Sequence, residues 1–129
     1  MTIVLDSSAL LAIVRGERGS EADLPHIRGS LISSVNLSEY LQRMIELGVA
    51  METAMTAVRR FEIEVVPYTA AHAASTASLR ALTRHLGLSL GDRACLALAL
   101  ERHGAALTSD QAWGGDLGTR LGLDIRMIR

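Results

Sequence analysis

Four carboxylates are placed where they could do chemistry together: Asp6, Glu39, Asp92 and Asp110. They are far apart in sequence: Asp6 ends the first strand-like run, Asp110 follows the fourth, Glu39 lies in the first turn of the helix after the second, and Asp92 opens the apolar helix leading into the fourth. Two like charges about 4 Å apart repel by ~4 kcal/mol at an effective dielectric near ~20. A crevice that gathers four carboxylates therefore needs either protons or a bound cation. Such an all-oxygen set suits Mg²⁺ or Mn²⁺ rather than zinc. The histidines His26, His72, His85 and His103 show no ligand spacing and read as surface or helix-end residues. Cys95 lies in an apolar helical stretch and reads as core.

Each acid also has a plainer local reading. Asn36-x-x-Glu39 has the form of a capping box with Asn36 as N-cap, and Ser89-x-x-Asp92 repeats it with Asp for Glu. Asp6 and Asp110 are each placed to cap the helix that follows them. Helix caps also gather at one end of a parallel sheet, so position alone does not separate capping from catalysis.

The elements that must carry these acids alternate along the chain. Residues 2–6, TIVLD, form a β-branched run that reads as a buried strand, followed by an apolar helix ending near Gly16. A helix is expected within residues 20–28, with Pro25 in its first turn, then a second strand at 30–35. Residues 36–47 place Leu37, Leu41, Met44, Ile45 and Leu47 near helical spacing, stopped by Gly48, and another helix spans 49–61. A third strand at 62–68 precedes an alanine-rich helix over 69–85 and a strongly apolar one over 90–103. A fourth strand at 105–109, a short helix at 117–121 and a last strand, DIRMI, complete the order. Strands joined by helices pair in parallel. The expected fold is α/β, three layers with a central, mostly parallel sheet of four to five strands. In such sheets the functional crevice lies beyond the carboxyl ends of the strands, where the four acids map.

No linker or repeat divides residues 1–129, so a single domain is expected. The longest unbroken apolar run, residues 94–100, is seven residues against the roughly 18 needed to cross a bilayer. Asp6 interrupts the N-terminal apolar stretch and no basic segment precedes it. With one cysteine and no signal-like segment, a cytoplasmic protein without membrane contact is expected. All 13 basic residues are arginine. Lacking lysine, the chain cannot build a Walker A loop, a Schiff-base site or a Ser–Lys nucleophile. The same absence argues against response-regulator receivers and haloacid-dehalogenase-type phosphatases, acidic-pocket folds that use a lysine.

Four segments, IVLDSSALLAI, ISSVNLSEYLQRMIELG, LSLGDRACLALAL and ALTSDQAW, together resemble a PIN-domain ribonuclease of the VapC-like toxin type. They span nearly the whole chain in the family's order. The resemblance implies that Asp6, Glu39, Asp92 and Asp110 hold Mg²⁺, with Mn²⁺ able to substitute, for hydrolysis of RNA phosphodiester bonds. It implicates the hydroxyls of Ser8, Thr108 and Ser109 as support. Some relatives carry a further acid soon after the fourth. Here Gln111, Ala112 and Trp113 follow Asp110, and Asp116 reads equally well as a surface helix cap.

Arg15, Arg43 and Arg93 are candidates to guide the substrate, with solvated charge as the competing reading. Aromatic residues make up 3% of the chain, so base stacking is sparse and recognition rests on RNA shape and phosphate. The resemblance further implies a homodimer and a cognate VapB-like antitoxin bound near the site, with apolar residues on the helices over 37–47 or 49–61 serving either contact. Housekeeping RNA processing, a structured-DNA substrate and an inactive scaffold are the alternatives. An inactive scaffold would show a lost acid, and all four are present. The net charge of −1 hides a division: without the quartet, 10 acids face 13 arginines, a surplus of three positive charges compatible with RNA.

Overall fold

A computed structural model describes residues 1–128. Five strands, β1 (Ile3–Leu5), β2 (Leu31–Ser33), β3 (Glu64–Val66), β4 (Ala105–Thr108) and β5 (Asp124–Met127), form one sheet. Their order is β3-β2-β1-β4-β5 and every pairing is parallel. The three-layer, parallel α/β fold read from the sequence is the one observed.

Period-two alternation divides the core into two layers. Ile3 and Leu5 of β1, Ile32 of β2 and Ala105 and Leu107 of β4 face one side. There they meet Leu10 and Ile13 of α1 (Ser7–Val14), Tyr40 and Met44 of α3 (Ser34–Glu46), and Ala54 and Val58 of α4 (Met51–Arg60). Ile27 of the short α2 (Leu24–Ile27) closes that layer. Val4, Leu31, Val66 and Ala106 face the other side. They pack on Cys95, Leu96, Leu98 and Ala99 of α7 (Leu90–Glu101), with Leu79 and with Leu117 of α8 (Leu117–Leu121). Among the described residues, no helix is long and apolar enough to cross a membrane.

Two expected elements differ in their limits. The second strand ends at Ser33, whose hydroxyl accepts the Val35 N–H at 3.2 Å, so α3 begins at Ser34. Asn36 is therefore inside the helix and is not its N-cap, and Glu39 belongs to the second turn. The helix expected over 69–85 is broken into α5 (Ala70–Ser78), α6 (Arg80–Thr83) and a 3₁₀ turn at Arg84–Leu86. Hydroxyls explain the break: Thr76 donates to the His72 carbonyl, Ser78 to Ser75 and Thr83 to Leu79, competing with regular helix bonds. Gly87, with φ of +64°, then turns the chain toward α7.

The burial pattern makes α7 a pillar of the fold, since Gly91 and Ala94 through Ala99 are all buried. Leu96 is fully enclosed whereas Leu90 is 53% exposed. Leu96→Ala is expected to lower unfolding stability by about 2–5 kcal/mol, and Leu90→Ala by less than ~0.5 kcal/mol. Urea denaturation of both variants checks this; equal losses would contradict the assignment of α7 to the core.

Candidate active site

The strand order reverses between β1 and β4, because the chain adds β2 and β3 on one side of β1 and then crosses to the other. At such a switch point the loops leaving the two strands diverge and open a crevice at their carboxyl ends. Asp6 leaves β1 there and Asp110 follows β4.

Asp6 is 2% exposed. Its Oδ1 accepts the Ser8 hydroxyl and the Ala9 N–H, both at 2.8 Å, and its Oδ2 accepts the Thr108 hydroxyl at 2.5 Å. The Ala9 bond makes Asp6 the N-cap of α1. Burial drives its pKa up from 3.8 to about 6, the three donors pull it back, and the Asp92 charge adds to the rise.

Hydroxyls knit the β1 and β4 loops together. Thr108 Oγ1 also accepts the Asp110 N–H at 3.0 Å, and Ser8 Oγ accepts the Ser109 N–H at 3.0 Å. The two hydroxyls stand 3.3 Å apart. Ser109 thus contributes its backbone to this network. Asp110 caps the following 3₁₀ turn, its Oδ1 accepting the Ala112 N–H at 2.9 Å.

Asp92 enters from α7. The Ser89 hydroxyl accepts the Asp92 N–H at 3.2 Å while Asp92 Oδ2 accepts the Ser89 N–H at 2.9 Å, completing the capping box. Glu39 enters from α3 and packs on the first turn of α7: a Cβ built on Gly91 would stand 2.5 Å from the Glu39 Cδ. Asn36, 1% exposed, donates from Nδ2 to Glu39 Oε1 at 3.1 Å and to the Gly91 carbonyl at 2.9 Å. Sequence pattern hid the part played by Asn36 and Gly91, because Asn36 imitates an N-cap.

Asp6, Asp92 and Glu39 all bear on Cys95. Burial raises the pKa of this thiol well above its usual value, and the charges of the three acids raise it further. Asp6, Asp92 and Glu39 come from three different elements on the β1 and α7 side of the sheet, and Asp110 is tied to Asp6 through Thr108. Among the described residues, none of the four has an arginine or histidine within 4.0 Å as an ion-pair partner.

The donor set fits a hydrated divalent cation. It is wholly carboxylate and hydroxyl oxygen, and its central acid is buried without a counter-charge. Among the described residues, no group of three or more histidine, cysteine or acidic side chains is placed to hold a metal ion. Mg²⁺ seldom asks for such a group, since it keeps several waters and is held by one or two carboxylates.

The remaining candidates lie outside this group. Arg15 ends α1, eight residues and about 12 Å along the helix from its acidic end, and stands 4.0 Å from Glu17. Arg43 is exposed and 3.9 Å from Glu46. Arg93 turns toward α5, where its Nη1 donates to the Thr76 carbonyl at 3.2 Å. Asp116 occupies the N-cap position of α8 without making a side-chain cap bond, and is exposed. His72 joins a capping box with Thr69 and meets Glu101 at 3.1 Å, while His85 contacts Arg120 at 2.8 Å.

Because the folded pKa of Asp6 lies above its unfolded value, the folded state holds the extra proton between about pH 4 and about pH 6. Its stabilising contribution is complete below the unfolded value and is lost as pH rises through about 6. In chelator, the wild type is expected to lose on the order of 3 kcal/mol relative to Asp6→Asn across that window. Urea unfolding of the pair at several pH values measures it; parallel profiles would contradict the uncompensated burial of Asp6.

The comparisons with known proteins bear on the fold and the family. A PIN domain matches residues 3–114. VapBC2 from Rickettsia felis, solved bound to a DNA fragment from its promoter, superposes with a TM-score of 0.73 at 17% identity over 100% of both chains. DNA-bound VapBC from Salmonella typhimurium gives 0.67 at 21% identity, covering 100% of this chain and 99% of that one. FitAcB from Neisseria gonorrhoeae gives 0.70 at 15% identity over 96% of each. No curated protein matches in sequence. At these identities the structures speak for the fold, whereas the domain match covers most of the chain: it belongs to the PIN-domain family, whose members are nucleases.

Proposed function

We propose that this protein is a Mg²⁺-dependent endoribonuclease acting as the toxin of a VapBC-type pair, restrained by a VapB-like antitoxin. The observation that carries the reading is Asp6, a buried carboxylate at the switch point, drawn up to a pKa of about 6 and supplied with neutral donors but no cation. A divalent ion answers that demand; Mn²⁺ satisfies the same oxygen set.

Asp6, Asp92, Asp110 and Glu39 are the residues that would hold the ion. Bound there, it supplies a water that ionises near neutral pH and charge stabilisation for the phosphodiester oxygens. The chain's own groups do the positioning. Ser8 and Thr108 orient the Asp6 carboxylate from both sides and join the loop that carries Asp110. The caps on α1 and α7 occupy one oxygen of Asp6 and one of Asp92 with backbone N–H groups, which fixes both carboxylates at helix N-termini. The same helix ends favour an approaching phosphate. Cys95 is fully buried with its thiol pKa raised, which removes it as a nucleophile.

The toxin setting is supported by likeness in fold to VapBC assemblies from two bacteria. Protein partners, an antitoxin and a second copy of the chain, are supported by a largely apolar groove of about 320 Å³ between α3 and α4, lined by Leu41, Ile45 and Met51. Ile45 and Met51 are 48% and 52% exposed.

Induction of the wild type in a host without antitoxin is expected to arrest growth, and Asp6→Asn to relieve it. Purified protein is expected to cleave cellular RNA with Mg²⁺ or Mn²⁺, to stop in chelator, and to lose more than about 100-fold in kcat as Asp6→Asn. RNA cleavage without growth arrest would favour housekeeping processing. No cleavage with either metal would favour a binding scaffold.

A further inference from the structure

We infer that Asn36 is a positioning residue that clamps the Glu39 carboxylate onto the first turn of α7, next to Asp92. The inference rests on the nuclease reading above for the chemistry that the clamp serves.

Asn36 stands three residues before Glu39, on the same face of α3. Its buried amide spends both N–H groups, one on Glu39 Oε1 and one on the Gly91 carbonyl, so one planar group ties the acid to the neighbouring helix. Gly91 completes the arrangement. Helices disfavour glycine, and no positive φ requires it here. Space requires it, because a methyl group at this position would overlap the Glu39 carboxylate.

The chemistry of the side chain matters as much as its place. Aspartate at 36 would offer no donors and set a third charge beside Glu39 and Asp92. Alanine would leave Glu39 free to leave α7. A residue needed only for packing would not be an amide whose Oδ1 is buried without a partner among the described residues. That unmet acceptor is the disadvantage the fold accepts in keeping a double donor between the two helices.

Mn²⁺ titration followed by electron paramagnetic resonance tests the role, with urea unfolding in chelator to monitor the fold. Asn36→Ala, Asn36→Asp and Gly91→Ala are each expected to weaken Mn²⁺ binding by about 10–100-fold. For RNA cleavage, kcat should fall in step while KM changes by less than ~3-fold. Gly91→Ala displaces Glu39 from the opposite side and favours the helix, so it carries the test if an Asn36 variant folds poorly. In a Glu39→Gln background, Asn36→Ala should cost almost nothing further, because the amide acts through Glu39. Equal losses in both backgrounds, or a lower unfolding midpoint with unchanged Mn²⁺ affinity, would overturn the role while leaving the nuclease reading intact. A wild type that binds no Mn²⁺ would instead overturn the nuclease reading and the clamp with it.

Discussion

A carboxylate enclosed at the end of a central strand is the constraint on which the rest of the crevice depends. β1 is flanked by β2 and β4 and covered by helices on both faces, so the residue that ends it is only 2% exposed. Burial, with a smaller push from the Asp92 charge, drives Asp6 toward its neutral form. Ser8 from its own helix, Thr108 from β4 and the free N–H of Ala9 each pull the other way. The loops after β1 and β4 are joined by the groups that do this, which is why the geometry of Asp110 follows from the electrostatics of Asp6.

Capping and metal chemistry are often posed as rival explanations for an acid at a helix start. Here three of the four acids serve in caps, and for Asp92 and Asp110 the cap engages one carboxylate oxygen and leaves the other. The backbone N–H groups that satisfy the helix end also favour the charge a cation needs. Glu39 is the exception. It caps nothing, and its place is set by a side-chain amide and a bare glycine surface, neither of which belongs to helix-end chemistry.

The layered fold was legible because each buried strand shows its apolar residues in sequence, and Asp6 and Asp110 closely follow two of them. The Ser89–Asp92 box was legible for the same reason: all its parts lie within four residues. The start of α3 was not. Ser33, Ser34 and Asn36 are all good N-caps by type, and the choice falls to Ser33 because β2 ends at that residue against β3. The break in the alanine-rich helix depended on hydroxyls folding back on carbonyls one turn earlier, which composition does not specify. Arg93 illustrates the limit of adjacency. It neighbours Asp92 in sequence, yet one residue around a helix is about 100°, and its guanidinium anchors α7 to α5 instead.

The burial of α7 has a bearing on how such a site is controlled. Asp92 and the surface that receives Glu39 both belong to a helix whose next residues, Ala94 through Ala99, are enclosed between the sheet and α5. Segments this deep open only with the whole domain, so α7 keeps Asp92 and the Gly91 surface in place. A loop that must be ordered offers regulation by disorder; a pillar does not. Silencing a site built on this pillar is a matter of occupying its mouth, and the affinity of whatever sits there sets how fast it awakens.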